Sequence, residues 1–133
     1  MMNETVGSIM TTKLLTVSQE DSLQTVKEIL INNRIHHVPV VEGKKMVGLV
    51  TTYDLFKLNV DHKDYEKTKV GNVMTKRLAF LESTDKIGTA AEVFMEHLFH
   101  ALPVVDNGEL VGIITTFDVL KYEYQREYPA KQV

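Results

Sequence analysis

The sequence contains no cysteine among its 133 residues, so disulfide bonds and thiolate chemistry are excluded. It has no apolar run long enough to span a bilayer, and we expect no insertion into a membrane. The first residues, MMNETVGSIM, lack the basic stretch and apolar core of a secretory signal. We therefore expect a cytoplasmic protein.

The sequence also lacks a large excess of charge of either sign. The chain has 15 basic and 18 acidic residues, a formal net charge of −3, and basic residues scattered among the acidic ones. Binding to a nucleic-acid backbone calls for a basic patch or stripe. We expect no nucleic-acid partner, and any partner would be a small molecule or another protein.

An internal repeat is the most informative feature that is present. Residues 6–57 recur at residues 70–121 without a gap, and 18 of the 52 aligned positions are identical. A period used only twice does not suit a stacked array, which needs three or more repeats. A unit of about 60 residues is marginal alone, so we predict two copies packed with pseudo-twofold symmetry. The predicted boundaries are a first copy at 1–58, a linker at 59–69, a second copy at 70–124 and a C-terminal extension at 125–133.

The sequence of each copy predicts an α/β (α+β) unit with its elements in the order strand, helix, strand, strand, helix. The predicted first strands are 15–17 and 79–81. After them, SQEDSLQTVKEILINNR has apolar residues at helical spacing, with Asp21 or Ser22 as the N-cap. Two β-branched runs follow around a short turn and predict a hairpin, and in the second copy the turn contains Asn-Gly, a strong hairpin signal.

The predicted linker, NVDHKDYEKTK, is polar and lacks apolar periodicity. At the other end of the second copy, LKYEYQREYP can extend the last helix until Pro129. We expect the final AKQV to fray.

Each hairpin ends in the pattern Gly-h-h-Thr-x-x-Asp, where h is apolar. It places Thr51 and Asp54 three residues apart in the first copy, and Thr115 and Asp118 in the second. One interpretation is a helix N-terminus with a capping box, which is the ordinary meaning of a lone Thr-x-x-Asp. The other is a nucleotide site, because helix N–H groups suit an anion and a carboxylate can accept hydrogen bonds from a ribose diol.

Together the repeated motifs resemble a tandem pair of CBS domains, the Bateman module, over nearly the whole chain. The resemblance rests on Val-Gly-x-h-Met-Thr at 6–11 and 70–75, His-x-x-Pro-Val-Val at 36–41 and 100–105, and the Thr-x-x-Asp turns. It implies a stand-alone regulatory module with no obligatory cofactor. It also implies that AMP, ADP, ATP or S-adenosylmethionine binds in clefts between the two domains, with Asp54 and Asp118 on the ribose and Thr51 and Thr115 on ribose or phosphate.

The resemblance further implies an apolar slot for the adenine. By position, the slot residues are Thr16, Val17, Val38 and Pro39 for one site, and Phe80, Leu81, Leu102 and Pro103 for the other. The same residue types equally suit a core.

Histidines at the start of the His-x-x-Pro strand are candidates for phosphate contact. His36 and His100 match in register, and the resemblance implies basic side chains at this position in related nucleotide sensors. The alternative is that they pack and hydrogen-bond at the domain interface. His37 corresponds to Ala101 in the second copy, so the two sites need not be equivalent. Arg34 and Lys13 are further phosphate candidates or solvated surface residues.

Two other classes of function have little support in the sequence. His36 and His37 are adjacent, and no cysteine or carboxylate cluster completes a metal-ligand set, so we predict no metal site. No nucleophile with an adjacent base is present, so we predict that the chain is not an enzyme. The resemblance implies a homodimer and a separate effector protein. The competing hypothesis is a structural dimerisation adaptor that binds no ligand.

Overall fold

The computed structural model describes residues 2–58 and 60–129. The chain forms two compact units. The first unit is Leu15–Leu78, and the second unit is Met1–Leu14 together with Ala79–Val133. The boundaries predicted from the repeat are a different division of the chain and stay a prediction.

The first unit is an antiparallel hairpin with two helices and two 3₁₀ turns. Its elements are α1 (Leu23–Asn33), β1 (His37–Glu42), β2 (Lys45–Thr51), α2 (Thr52–Lys57) and 3₁₀ turns at His62–Lys67 and Val70–Asn72. Ser22 is the N-cap of α1, because its hydroxyl accepts the Thr25 N–H at 3.2 Å. The predicted helix and hairpin are therefore confirmed. Its core comprises Val17, Leu23, Val26, Leu30, Val38, Val40, Val50, Tyr65, Val70 and Met74.

The second unit repeats this arrangement. Its elements are a 3₁₀ turn at Val6–Ser8, α3 (Ile87–His97), β3 (Ala101–Asp106), β4 (Glu109–Thr115) and α4 (Thr116–Glu127). The turn of the β3–β4 hairpin has positive φ at Asn107 (52°) and Gly108 (81°), as a type I′ turn requires. The core comprises Val6, Leu81, Ile87, Ala90, Phe94, Leu102, Val104, Ile114 and Val119. Each unit is thus α+β, as predicted.

The predicted first strands are much shorter than expected. Of residues 15–17, only Val17 pairs with another strand, through a single parallel bridge to Val40. Of residues 79–81, only Leu81 does so, through a single parallel bridge to Val104. Val17 donates to the Pro39 carbonyl at 3.1 Å and accepts from the Val41 N–H at 2.8 Å. The next rung would need an N–H from Pro39, which proline lacks. Pro103 stops the second bridge in the same way, so the prolines that identify the motif also end the pairing.

The predicted linker carries structure that its composition did not indicate. His62–Lys67 is a 3₁₀ helix, and the side chain of Tyr65 is only 4% exposed within the core of the first unit. The Thr68 hydroxyl donates to the Asp64 carbonyl at 2.9 Å and ends the turn. A single aromatic side chain anchors this segment, and one residue produces no periodicity.

The opening Val-Gly-x-h-Met-Thr segment of each copy packs with the helix and hairpin of the other copy. Val6 N–H donates to the Asp85 carbonyl at 2.7 Å in the second unit. Val70 N–H donates to the Asp21 carbonyl at 2.8 Å in the first unit. Each compact unit therefore combines residues from both sequence copies.

Helix α4 ends at Glu127. The sequence predicted that it could extend until Pro129, which lies two residues further on. Proline disfavours helical backbone at the residue before it, and Tyr128 has φ −127° and ψ 69°. The predicted fraying of AKQV lies outside the described residues. Within residues 2–58 and 60–129, no helix has the length and apolar character needed to cross a membrane.

Candidate ligand-binding site

The two Thr-x-x-Asp turns form complete capping boxes. In the first unit the Asp54 N–H donates to Thr51 Oγ1 at 3.1 Å, and the Thr51 N–H donates to Asp54 Oδ2 at 2.9 Å. In the second unit the matching distances for Thr115 and Asp118 are 3.0 and 2.9 Å. The capping interpretation is thus confirmed. The capping bonds hold each carboxylate in a fixed orientation. All four residues are half-buried, so solvent still reaches the carboxylates.

Two threonines that the sequence argument did not place at the site also reach these carboxylates. Thr75 Oγ1 lies 3.3 Å from Asp54 Oδ1 and 3.5 Å from Asp54 Oδ2. Thr11 Oγ1 lies 3.5 Å from Asp118 Oδ2. Both belong to the Met-Thr pair of the opening motif. Its exact repetition was the signal that could have identified them.

Backbone pairing places Thr75 beside the Thr51–Asp54 turn. Thr75 forms an antiparallel bridge with Leu49 of β2, with hydrogen bonds of 2.8 and 3.0 Å. Met74 covers Gly48, where an added Cβ would lie 2.5 Å from the Met74 sulfur. The glycine therefore lets the opening segment approach β2 closely enough for its hydroxyl to meet Asp54.

The second unit uses the same device. Thr11 bridges Ile113 of β4 with hydrogen bonds of 2.8 and 2.9 Å. Met10 covers Gly112, and a Cβ there would lie 2.9 Å from Met10 Cγ. The Met-Thr segment and the Gly-h-h-Thr-x-x-Asp turn are thus two halves of one local structure.

The arrangement retains hydrogen-bonding capacity toward a ligand. A carboxylate offers about four acceptor positions, and one Oδ2 position of each aspartate is used by the Thr N–H of the capping box. Hydroxyl contacts of 3.3–3.5 Å are long for O–H···O bonds. The Thr51 and Thr115 oxygens accept a backbone N–H, which leaves their hydroxyl hydrogens able to donate. A ligand with adjacent hydroxyl groups and nearby acceptors matches this pattern.

The backbone ties His36 and His100 to these turns. The His36 carbonyl accepts the Thr52 N–H at 2.9 Å, and the His100 carbonyl accepts the Thr116 N–H at 3.0 Å. Both histidine side chains are exposed. The start of each His-x-x-Pro strand therefore lies beside the first residue of the following helix. Arg34 and Lys13 are also exposed, the first in the first unit and the second in the second unit.

Most of the predicted adenine-slot residues lie in the cores. Val17, Val38 and Pro39 are buried in the first unit, and Leu81, Leu102 and Pro103 are buried in the second. The two exceptions are Thr16, which is exposed, and Phe80, which is 51% exposed. Within the described residues, no backbone hydrogen bond involves either of them. The backbone groups of these two exposed residues therefore keep their hydrogen-bonding capacity.

The side chain of His37 is half-buried. Burial, and secondarily the proximity of His36, lowers the pKa of His37 from its ordinary value of 6.5. The folded state thus disfavours the protonated imidazole, and the unfolded state binds more protons.

Stability is therefore expected to be complete above about pH 6.5 and to fall as acidification protonates His37 in the unfolded chain. In the His37→Ala variant, which places the residue of position 101 there, this part of the pH dependence should disappear. Urea unfolding at pH 7.5 and 5.5 measures it, with His97→Ala, at the exposed C-terminal residue of α3, as the matched control. An identical pH dependence in wild type and His37→Ala would contradict the assignment.

No group of three or more His, Asp or Glu side chains in the described part of the chain is arranged to hold a metal ion.

Residues 6–61 and 70–124 match the family model of the CBS domain. The chain therefore belongs to the CBS domain family, and the resemblance seen in the sequence is confirmed. The two matched segments correspond to the two copies of the internal repeat.

Curated relatives include proteins of different lengths. The chain is 35% identical to uncharacterized protein MJ0188 of Methanocaldococcus jannaschii, covering 98% of the chain and 48% of that protein. It is 34% identical to the chloroplastic CBSX1 of Arabidopsis thaliana, covering 91% and 64%. Homoserine O-acetyltransferase of Methanococcus vannielii is 29% identical over 86% of the chain but only 24% of the enzyme. The chain thus spans from about a quarter to about two thirds of these relatives.

Solved structures show the same fold. CBSX2, solved in complex with AMP, is 30% identical with a TM-score of 0.83, covering 93% of this chain and 98% of that one; CBSX2 is an Arabidopsis thaliana CBS-pair protein. The CBS domain pair of MJ0100 is 24% identical with a TM-score of 0.74, covering 92% and 97%, and shares the fold. The tandem CBS fold implied by the resemblance is therefore confirmed.

Proposed function

We propose that the chain is a regulatory module that binds AMP or a closely related adenosine nucleotide at its Thr-x-x-Asp turns. The observation that carries this proposal is the orientation of Asp54 and Asp118, each fixed by a capping box and still reached by solvent. It is supported by CBSX2, which is similar over nearly the whole chain and binds AMP.

The ribose diol would be held by the aspartates. Two adjacent hydroxyl groups can donate to the two oxygens of Asp54 and replace the 3.3–3.5 Å contacts from Thr75. Such charge-assisted hydrogen bonds are short and stronger than neutral ones. Asp118 and Thr11 would act in the same way in the second unit.

The phosphate would lie on the Thr51 or Thr115 side of the turn. Each threonine hydroxyl can donate to a phosphate oxygen while still capping the helix. His36 and His100 are exposed beside the same turn and can add positive charge when protonated. Arg34 and Lys13 are further candidates. The adenine would be read near Thr16 and Phe80, where backbone groups are accessible above the buried slot residues.

Regulation requires that the nucleotide bind one conformational or oligomeric state more tightly than another. We propose that the chain acts without catalysis, as a cytoplasmic homodimer that signals to a separate effector protein. Exposed apolar side chains at matching positions of α2 and α4 support a protein partner: Tyr53 and Phe117 are 65% and 57% exposed, and Phe56 and Leu120 are 88% and 65% exposed. These same residues would serve the alternative function, a ligand-free dimerisation adaptor.

Thermal unfolding with a panel of ligands tests the proposal. AMP, ADP, ATP, S-adenosylmethionine and cyclic di-AMP are compared with GMP, which keeps the ribose and phosphate but changes the base. AMP or a close relative is expected to stabilise the fold by about 2.7 kcal/mol for each occupied site at a concentration of 100 times Kd. Stabilisation by none of the adenosine ligands would favour the adaptor.

A further inference from the structure

A cavity of about 360 Å³ opens in the first unit between α1, α2 and the segment that follows α2. This volume lies within the range of small-molecule sites, about 300–1,000 Å³. Its walls include residues from before, within and after α2, so the cavity exists because α2 ends at Lys57 and the chain then packs back toward α1. Neither Thr51 nor Asp54, the two residues of the proposed nucleotide site, lines the cavity, although Thr52 between them does.

One side of the cavity is basic. Lys27 Nζ lies 3.3 Å from His62 Nδ1 and 5.8 Å from the centre of the Tyr65 ring. No carboxylate is among the described residues that line the cavity. A lysine ammonium carries three N–H donors, and its contact with His62 uses one of them. The remaining donors suit an anionic acceptor.

The other side is apolar. Leu55, Phe56, Leu58 and Val60 line it, and Phe56 is 88% exposed. Covering exposed apolar surface is favourable by about 25 cal/mol per Å². A ligand with a hydrophobic body would therefore gain from contact with this wall while its charged end met Lys27.

The repeat provides an internal comparison. Lys27 aligns with Ala91, and His62 lies beyond the aligned residues 6–57. Where the first copy leaves its helix at Lys57, α4 continues unbroken to Glu127. The cavity and its basic side therefore depend on residues particular to the first copy and not on the shared nucleotide motif.

We propose that this cavity is a second ligand site, which takes a small monocarboxylic acid with an apolar body. The carboxylate accepts hydrogen bonds from the Lys27 ammonium and pairs with its charge. The apolar body packs against Phe56 and Leu58. Neither contact involves Asp54, so the acid should bind without the Asp54 carboxylate.

Calorimetric titration of the full chain with 3-phenylpropionate tests this assignment. Wild type is expected to bind it saturably. Lys27→Ala, which introduces the residue found at position 91 and a better helix former, should bind about tenfold or more weakly, because a charge-assisted hydrogen bond is lost. Phe56→Ala, a change at an exposed position, should also weaken binding. Lys44→Ala in the exposed hairpin turn removes the same charge elsewhere and should bind as wild type does.

Two further comparisons complete the experiment. The neutral analogue 3-phenylpropionamide should bind at least about tenfold more weakly than the acid. Asp54→Asn should bind the acid as wild type does, which separates this site from the nucleotide site. Absence of saturable binding at millimolar concentrations, equal binding of acid and amide, or unchanged binding in Lys27→Ala would each overturn the proposal.

Discussion

The Asp54→Asn, Asp118→Asn double variant is expected to lose tight AMP binding while remaining folded. Asparagine keeps one side-chain oxygen that can accept the threonine N–H of the capping box. It loses the negative charge and half of the acceptor capacity that a ribose diol would use. Hydrogen bonds to charged groups contribute about 1.5–3 kcal/mol, so affinity at each site should fall by about tenfold to 100-fold.

The chain contains matched controls for this experiment. Asp21 accepts the Ser18 N–H at 2.8 Å in the first unit, and Asp85 accepts the Glu82 N–H at 2.8 Å in the second. Asp21→Asn, Asp85→Asn therefore makes the same chemical change at backbone-bonded aspartates away from the turns. AMP binding should persist in this control. Equal loss in both double variants would show that the effect is general destabilisation and not loss of ribose contacts.

Tyr65→Ala is expected to destabilise the protein by about 3 kcal/mol, as deletion of large buried aromatic side chains commonly does. The Tyr65 side chain is 4% exposed, and its ring lies 5.0 Å from the His62 ring. The variant would leave a cavity in the core of the first unit and release the 3₁₀ helix that packs against α1.

The control for this prediction is Tyr53→Ala. Tyr53 is in the same unit but is 65% exposed, so its removal should change stability by no more than about 0.5 kcal/mol. Unfolding free energies from urea titration compare the two variants. If Tyr65→Ala proved as stable as Tyr53→Ala, the Tyr65 side chain would not anchor residues 60–67 to the core.

Local chemistry made much of the fold predictable. Ser22 before an apolar helical period identified the start of α1, and the Asn107–Gly108 pair identified a hairpin turn, because each acts through neighbouring backbone. Thr51 and Asp54 were identifiable as a capping box for the same reason. The family followed from motifs that recur at a fixed spacing.

What the sequence did not show depends on contacts between distant residues. Thr75 reaches Asp54 only because its segment bridges β2 over Gly48. Tyr65 is an isolated aromatic in a polar stretch, and neither period nor composition reveals that it is buried. Pro39 is a different case, because its effect could have been predicted from the sequence. Proline has no backbone N–H, so pairing has to stop at Val17.

Calorimetric titration of AMP into wild type and into the two single variants, Asp54→Asn and Asp118→Asn, tests the central claim most directly. The proposed function predicts two molecules of AMP per wild-type chain. In each single variant one site should keep its affinity, and the other should bind AMP about tenfold to 100-fold more weakly. Unchanged stoichiometry and affinity in both variants would contradict the assignment of these carboxylates to a nucleotide.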